Sequence, residues 1–227
     1  LDAPFVDTAL ERVASVSGAI ISFEPQSVEL KAAFTALSEA YAGGNPDAMA
    51  SAWERARNAA IGVAGTRRFV VDQGRKLEEA FDLLSSKDET VTENSFLPFA
   101  FRLVLGRRTE GRLEGIAGAI DAQWTGSLGL AQDSLDKAMA ARLEAARTAY
   151  DRGEWTAATA GFAEAASYAD RGVALLSLWS HYVPSDLIQR STTLGQAALE
   201  LKGQDYLRFL HAGLTARSYG ALTAARE

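Results

Sequence analysis

Two stretches decide how this chain is read: Leu37–Ala56, LSEAYAGGNPDAMASAWERA, and Ala146–Ala165, ARTAYDRGEWTAATAGFAEA. Superposed without a gap, they place Tyr41 on Tyr150, Gly44 on Gly153, Met49 on Ala158, Trp53 on Phe162 and Ala56 on Ala165. Each opens as a helical run ending in an aromatic residue, passes a glycine, and resumes with a bulky aromatic set between small residues. That pattern is an antiparallel helical hairpin. The glycine permits a left-handed C-cap. The tyrosine packs near the turn, the small residue after it lets the helices approach, and the second aromatic fills the gap to the next hairpin. In the first copy Asn45 is placed to accept from free backbone N–H groups, and Pro46 suits the first helical position.

Working outward, the chain continues in the same vein. Alanine, the best helix former, is abundant in every third of it, and alternating β-branched runs bounded by hairpin turns do not occur. The spacing of Val6, Leu10, Val13 and Ile20 predicts a helix over about 4–20, broken at Phe23-Glu24-Pro25. A second helix runs from Ser27 to Ala42 with Leu30, Phe34, Leu37 and Tyr41 on one face, and a third carries Met49, Trp53 and Ala56. A fourth covers about 68–84. Segment 85–95, SSKDETVTENS, is polar and aperiodic and reads as a loop, in which Thr90 and Glu93 have capping-box spacing. Gly111, Gly115 and Gly118 each cost a helix about 1 kcal/mol relative to alanine, or else permit close helix contact. Helices are expected over 134–152 and from Trp155 towards His181. Two more, over about 186–201 and 205–225, flank a turn at Lys202-Gly203-Gln204. The expected fold is all-α: antiparallel hairpins packed as a repeat array or an irregular bundle, in one domain over 1–227 with a subdivision near 85–95.

The second copy resembles the tetratricopeptide (TPR) repeat family. Ala149-Tyr150, Gly153, Trp155, Ala158, Phe162 and Ala165 match that family's aromatic–glycine–aromatic–alanine–aromatic–alanine spacing, and the resemblance is carried mainly by 143–165 and more weakly by 37–56. In the first copy Pro46 stands where an aromatic is usual and Met49 where alanine is usual. The turn glycines are irregularly spaced, which implies a divergent array with insertions. The resemblance implies stacked hairpins that bind a protein or peptide partner. It assigns structural packing roles to Tyr41, Trp53, Tyr150, Gly153, Trp155, Ala158, Phe162 and Ala165.

The 227 residues suffice for a sizeable core, and 48% hydrophobic with 23% charged residues is an ordinary globular balance. A net charge of -6 disfavours nucleic acid as a partner. The chain has no cysteine, which excludes disulfides, thiolate nucleophiles and zinc–thiolate sites. With a first residue that is leucine, this leads to the expectation of an extracytoplasmic, bacterial periplasmic protein. The longest apolar stretch, Phe96–Leu105, is interrupted by Pro98 and Arg102, so no membrane-spanning segment is expected.

No catalytic or metal site, and no cofactor, is expected. His181 and His211 lie far apart, and no HExxH, phosphate-loop or GxSxG motif occurs. Glu78, Glu79 and Asp82 have the spacing of a solvated helix face. Asp82, Asp88, Glu89 and Glu93 lack the order of a calcium loop. Arg102, Arg107, Arg108 and Arg112 form a basic cluster in an acidic chain, near Phe99, Phe101 and Trp124. Arginine with aromatics is the composition of interface hot spots and anion recognition; the alternative is surface pairing with Glu110 and Glu114. The expected function is a non-catalytic protein-interaction or scaffolding module. The alternative is a helical small-molecule-binding protein that assists solute uptake in the bacterial periplasm.

Overall fold

The computed structural model describes residues 3–87, 96–178 and 193–226, with side chains at 18 and 21 and over 23–76, 115–178 and 204–226. Among them every regular element is an α-helix: α1 Ala3–Gly43, α2 Pro46–Lys87, α3 Phe96–Asp151, α4 Trp155–Ser177 and α5 Thr193–Ala224. No helix among the described residues is long and apolar enough to cross a membrane. Residues 88–95, including Thr90 and Glu93, and His181 lie outside the described residues.

The helices are longer than the sequence punctuation suggested. Pro25 does not break α1. It stands on an exposed stretch with Glu24 and Val28, so its ring displaces no core contact and the carbonyl freed one turn earlier, on exposed Ile21, is open to water. The expected turn at 202–204 lies inside α5. One helical glycine costs about 1 kcal/mol, which the buried face of Phe209 and Ala216 offsets. Gly115 and Gly118 also lie within a helix, α3, and the Cβ of a substituted residue at either would meet nothing within 4 Å. They are helix-weakening positions and do not mediate close helix contact.

The chain divides into two compact units. The first comprises residues 1–30 and 62–125. Its described core holds Leu30, Val63, Ala64, Val70, Ile120 and Trp124, all buried. Polar seams tie its three helical segments. Thr66 Oγ1 donates to Gln26 Oε1 at 2.6 Å, and Arg67 donates through Nε and Nη2 to the two oxygens of Asp121 at 2.6 and 3.2 Å.

The second unit comprises 31–61 and 126–227 and contains both hairpins. The expected face of α1 is its core: Phe34, Leu37 and Tyr41 are buried. Both turns form as the glycines imply. Gly44 and Gly153 have φ of 74° and 75° and are the positive-φ residues of the described chain. Asn45 Oδ1 accepts from the backbone N–H of Asp47 and Ala48 at 3.0 and 3.2 Å, capping α2, which starts at Pro46. At the second turn the Gly153 N–H donates to the Tyr150 carbonyl and the Glu154 N–H to the Ala149 carbonyl, the paired bonds of a Schellman cap.

Contacts between helices fix their sense. Along α1 and α3, the Ser38 hydroxyl meets the Ser134 hydroxyl, and Gly44 lies against Arg142, so these segments run parallel. Along α3 and α5, Gln132 bonds Asp205, Asp136 bonds Arg208 and Tyr150 bonds Arg226, again parallel. Between α4 and α5, Gly172 meets Phe209, Ala169 meets Gly213 and Thr159 meets Thr223, so they run antiparallel. The second unit is therefore hairpin, hairpin and single helix, with the leading helices α1, α3 and α5 running in one sense.

Candidate binding cleft

A cleft of about 380 Å³ opens in the second unit where three helices converge. The α1 end contributes Tyr41; the start of α2 contributes Met49, Ala50 and Trp53; α4 contributes Ser167, Asp170, Arg171 and Ala174. The floor follows from helical spacing: Met49 and Trp53 are one turn apart, as are Ser167, Arg171 and Ala174. Met49 is buried, while Trp53 is half-buried.

The polar groups here are unequal. Asp170 is neutralised, because Arg217 Nη2 donates to both its oxygens at 2.6 and 2.5 Å. Arg171 donates through Nη1 to Ser167 Oγ at 2.7 Å, and its guanidinium stands 5.5 Å from the Tyr168 ring centre. It meets no carboxylate among the described residues, so it is the cation the cleft offers. The Tyr41 hydroxyl is buried without a hydrogen-bond partner. Burial pushes its pKa well above the ordinary phenol range, against the opposing pull of Arg171, so it stays a neutral donor. Beneath it, buried Tyr168 donates to the Tyr41 carbonyl at 3.2 Å, and Arg142 stacks on the Tyr168 ring at 4.4 Å while its Nε donates to Glu164 Oε1 at 2.7 Å. The cleft thus combines an apolar floor, a half-buried tryptophan and one available guanidinium.

The residues singled out from sequence fall into three groups. The hairpin residues come together in the second unit: Tyr41, Ala158, Phe162 and Ala165 are buried, and Trp53 and Tyr150 are half-buried. Trp155, which the hairpin pattern implies is packed in, is only half-buried. It sits beside the turn, edge-on to Tyr150 at 5.5 Å, with the Arg226 guanidinium 5.1 Å from its ring centre. The positions Arg102, Arg107, Arg108 and Arg112 all lie on α3 in the first unit, and their side chains are outside the described residues. Trp124 was expected beside them on a binding surface, and this is corrected: it is 1% exposed. It belongs to the buried row Ile120, Trp124, Leu128, Ala131 and Leu135 at helical spacing on α3, so it packs in the core.

Sequence reading missed the closest helix approaches. An added Cβ at Gly161 would lie 2.8 Å from the Ala146 Cβ, and one at Gly172 would lie 2.3 Å from Phe209 Cδ1. The α4 pattern Gly161…Gly172, one glycine every three turns on a buried face, was the available signal. Arg171 carried no signal, because its role depends on Tyr41 and Trp53, more than a hundred residues away. No family model matches the chain, and comparisons with curated proteins and with solved structures find no match either.

Proposed function

We propose that the protein is a non-catalytic interaction module of TPR-like helical hairpins, and that the cleft seats an apolar side chain of a peptide or protein partner beside an acidic one. The observation that carries this is the cleft of Tyr41, Met49, Trp53 and Arg171 at the junction of two stacked hairpins. Parallel leading helices and matching glycine turns are the architecture that TPR-like arrays use to present such surfaces, an inference by analogy. A tryptophan beside an arginine is the composition in which hot spots are enriched. The arginine positions 102, 107, 108 and 112 supply a second, electrostatic contact zone in this reading.

A displayed random-peptide library selected against the protein tests this. Enriched sequences should pair a large apolar residue with Asp or Glu nearby. Trp53→Ala should weaken the selected peptide about tenfold or more, and Arg171→Ala should flatten the salt dependence of binding. Tyr41→Phe should leave the fold intact or slightly stabilised, since it deletes an unsatisfied buried hydroxyl. Binding unaffected by Trp53→Ala and Arg171→Ala would place the peptide elsewhere and end this reading. The apolar floor supports a second reading, a small amphipathic carboxylate as ligand. At about 380 Å³ the cleft is at the small end of the range for such sites. Thermal-shift screening of aliphatic and aromatic carboxylates, with Trp53→Ala as control, separates the two.

A further inference from the structure

Tyr41 lines the cleft with a hydroxyl that nothing satisfies. It is 1% exposed, and among the described residues its Oη has no hydrogen-bond partner. Packing does not call for that oxygen, since phenylalanine would fill the same space without it. A buried hydroxyl left unpaired carries its desolvation penalty in full. The second hairpin shows the ordinary solution. Tyr150, the residue aligned with Tyr41, is half-buried, and its Oη accepts from Arg226 Nη1 at 2.8 Å. In the first hairpin the guanidinium whose charge acts on the Tyr41 phenol is Arg171, and it gives its hydrogen bond, from Nη1, to Ser167 instead.

We propose that Tyr41 is a recognition residue of the cleft: its hydroxyl donates to one oxygen of a ligand carboxylate while the Arg171 guanidinium holds the other. The inference rests on the reading of the cleft as a peptide-binding site and names the chemistry that the site selects, an acidic side chain in preference to its neutral amide. Position supports it. Tyr41 and Arg171 line the cleft from α1 and α4, with Met49 and Trp53 beside them to take an apolar neighbour. Tyr41 borders open space at the cleft, so a group seated there is the partner that can reach its hydroxyl. The lining's own carboxylate does not compete, because Asp170 is held through both oxygens by Arg217. Arg171 pairs with no carboxylate among the described residues, and a guanidinium has N–H groups beyond the one given to Ser167. The same charge turns away a cationic ligand group. Energetics supports the assignment too. A hydrogen bond formed on binding normally adds little, because each partner gives up a bond to water. The Tyr41 hydroxyl has none to give up, and it keeps its proton because burial raises the phenol pKa above its ordinary value. A neutral donor meeting an anion in a water-poor site makes a charge-assisted bond, about twice as strong as one to a neutral acceptor.

The probe is the most enriched peptide of the library selection, synthesised with one acidic residue and both ends capped, so that this side chain is its sole carboxylate. Two further versions replace that residue by its amide and by alanine. Calorimetric titration of the full chain and of Tyr41→Phe with each peptide closes a double-mutant cycle. Tyr41→Phe should bind the acidic peptide about tenfold more weakly or worse, the amide peptide with a smaller loss, and the alanine peptide within about twofold of wild type. Without peptide, Tyr41→Phe should melt at the wild-type temperature or above. Equal binding of the acidic peptide by wild type and Tyr41→Phe, while Trp53→Ala and Arg171→Ala still weaken it, overturns the proposal and leaves the cleft reading standing. An equal loss for all three peptides makes the hydroxyl structural and overturns it as well. So does a lowered melting temperature in Tyr41→Phe, which means that the hydroxyl is already paired in the free protein. A selection that enriches no peptide, or a peptide indifferent to Trp53→Ala and Arg171→Ala, removes the cleft reading itself and this proposal with it.

Discussion

The fit between Gly172 and Phe209 yields a number that can be checked. Adding a methyl at residue 172 places it 2.3 Å from Cδ1 and 2.5 Å from Cε1 and Cγ of a ring that is fully buried. Carbon atoms pack best at about 3.5–4.0 Å, so the ring must retreat by more than 1 Å or the helices must part. Overpacking of this kind costs about 1–3 kcal/mol. Alanine in a helix gains about 1 kcal/mol over glycine, leaving Gly172→Ala destabilised by up to about 2 kcal/mol. Gly118→Ala is the control. It is helical with nothing within 4 Å of the new methyl, and should be stabilised by up to about 1 kcal/mol. Urea unfolding followed by circular dichroism at the helical band measures both. Combining Gly172→Ala with Phe209→Leu should recover part of the loss, with a coupling of at least about 0.5 kcal/mol. If Gly172→Ala is as stabilising as Gly118→Ala, Phe209 does not seat against Gly172 and the α4–α5 packing described above is wrong.

Three further outcomes are expected. Ala158→Leu should cost roughly 1–3 kcal/mol, because Ala158 is fully buried among Ala146, Ala149 and Phe162; a neutral melt would mean the hairpin does not close through it. Asp136 has its pKa raised, by burial first and by Asp205 and Asp133, against the opposing effect of Arg208. The folded state then holds this proton more tightly than the unfolded chain, so its contribution to stability grows as pH falls and is lost as pH rises through the folded pKa. Asp136→Asn should remove that slope in the interval just above about pH 3.9, and parallel pH–stability curves for the two proteins would refute the assignment. Replacing Arg107, Arg108 and Arg112 together by alanine should leave the melting temperature nearly unchanged and weaken partner binding most at low salt. Unfolding of this variant, or full binding at every ionic strength, would make the cluster structural.

What was legible in the sequence was local. Gly44-Asn45-Pro46 and Gly153-Glu154 are turns whose backbone bonds close within a few residues, and both form as read, down to the Asn45 cap. The row Leu30, Phe34, Leu37 and Tyr41 was legible because burial on one helix follows its period. Pro25 and Gly203 were misread for one reason: each carries a local penalty of about 1–3 kcal/mol, and the sequence does not display what outweighs it. At Gly203 that is the packing of the rest of α5; at Pro25 it is the openness of the surrounding surface. Trp124 was read for its chemistry when its spacing with Ile120 and Leu128 already placed it in a core row. The cleft was beyond reading, since it exists only once residues near 41–53 and 167–174 are brought together.

Each compact unit is assembled from separated pieces of the chain, and the divisions after Leu30, Ile61 and Thr125 fall inside helices α1, α2 and α3. No contiguous gene segment therefore encodes either unit. A ribosome has completed only residues 1–30 of the first unit when it begins the second, and must return to finish it. A single protease cut releases neither unit whole, and a recombination point that exchanges one of them with another protein does not exist. Expressing the second unit alone would require a synthetic junction from Ile61 to Gly126.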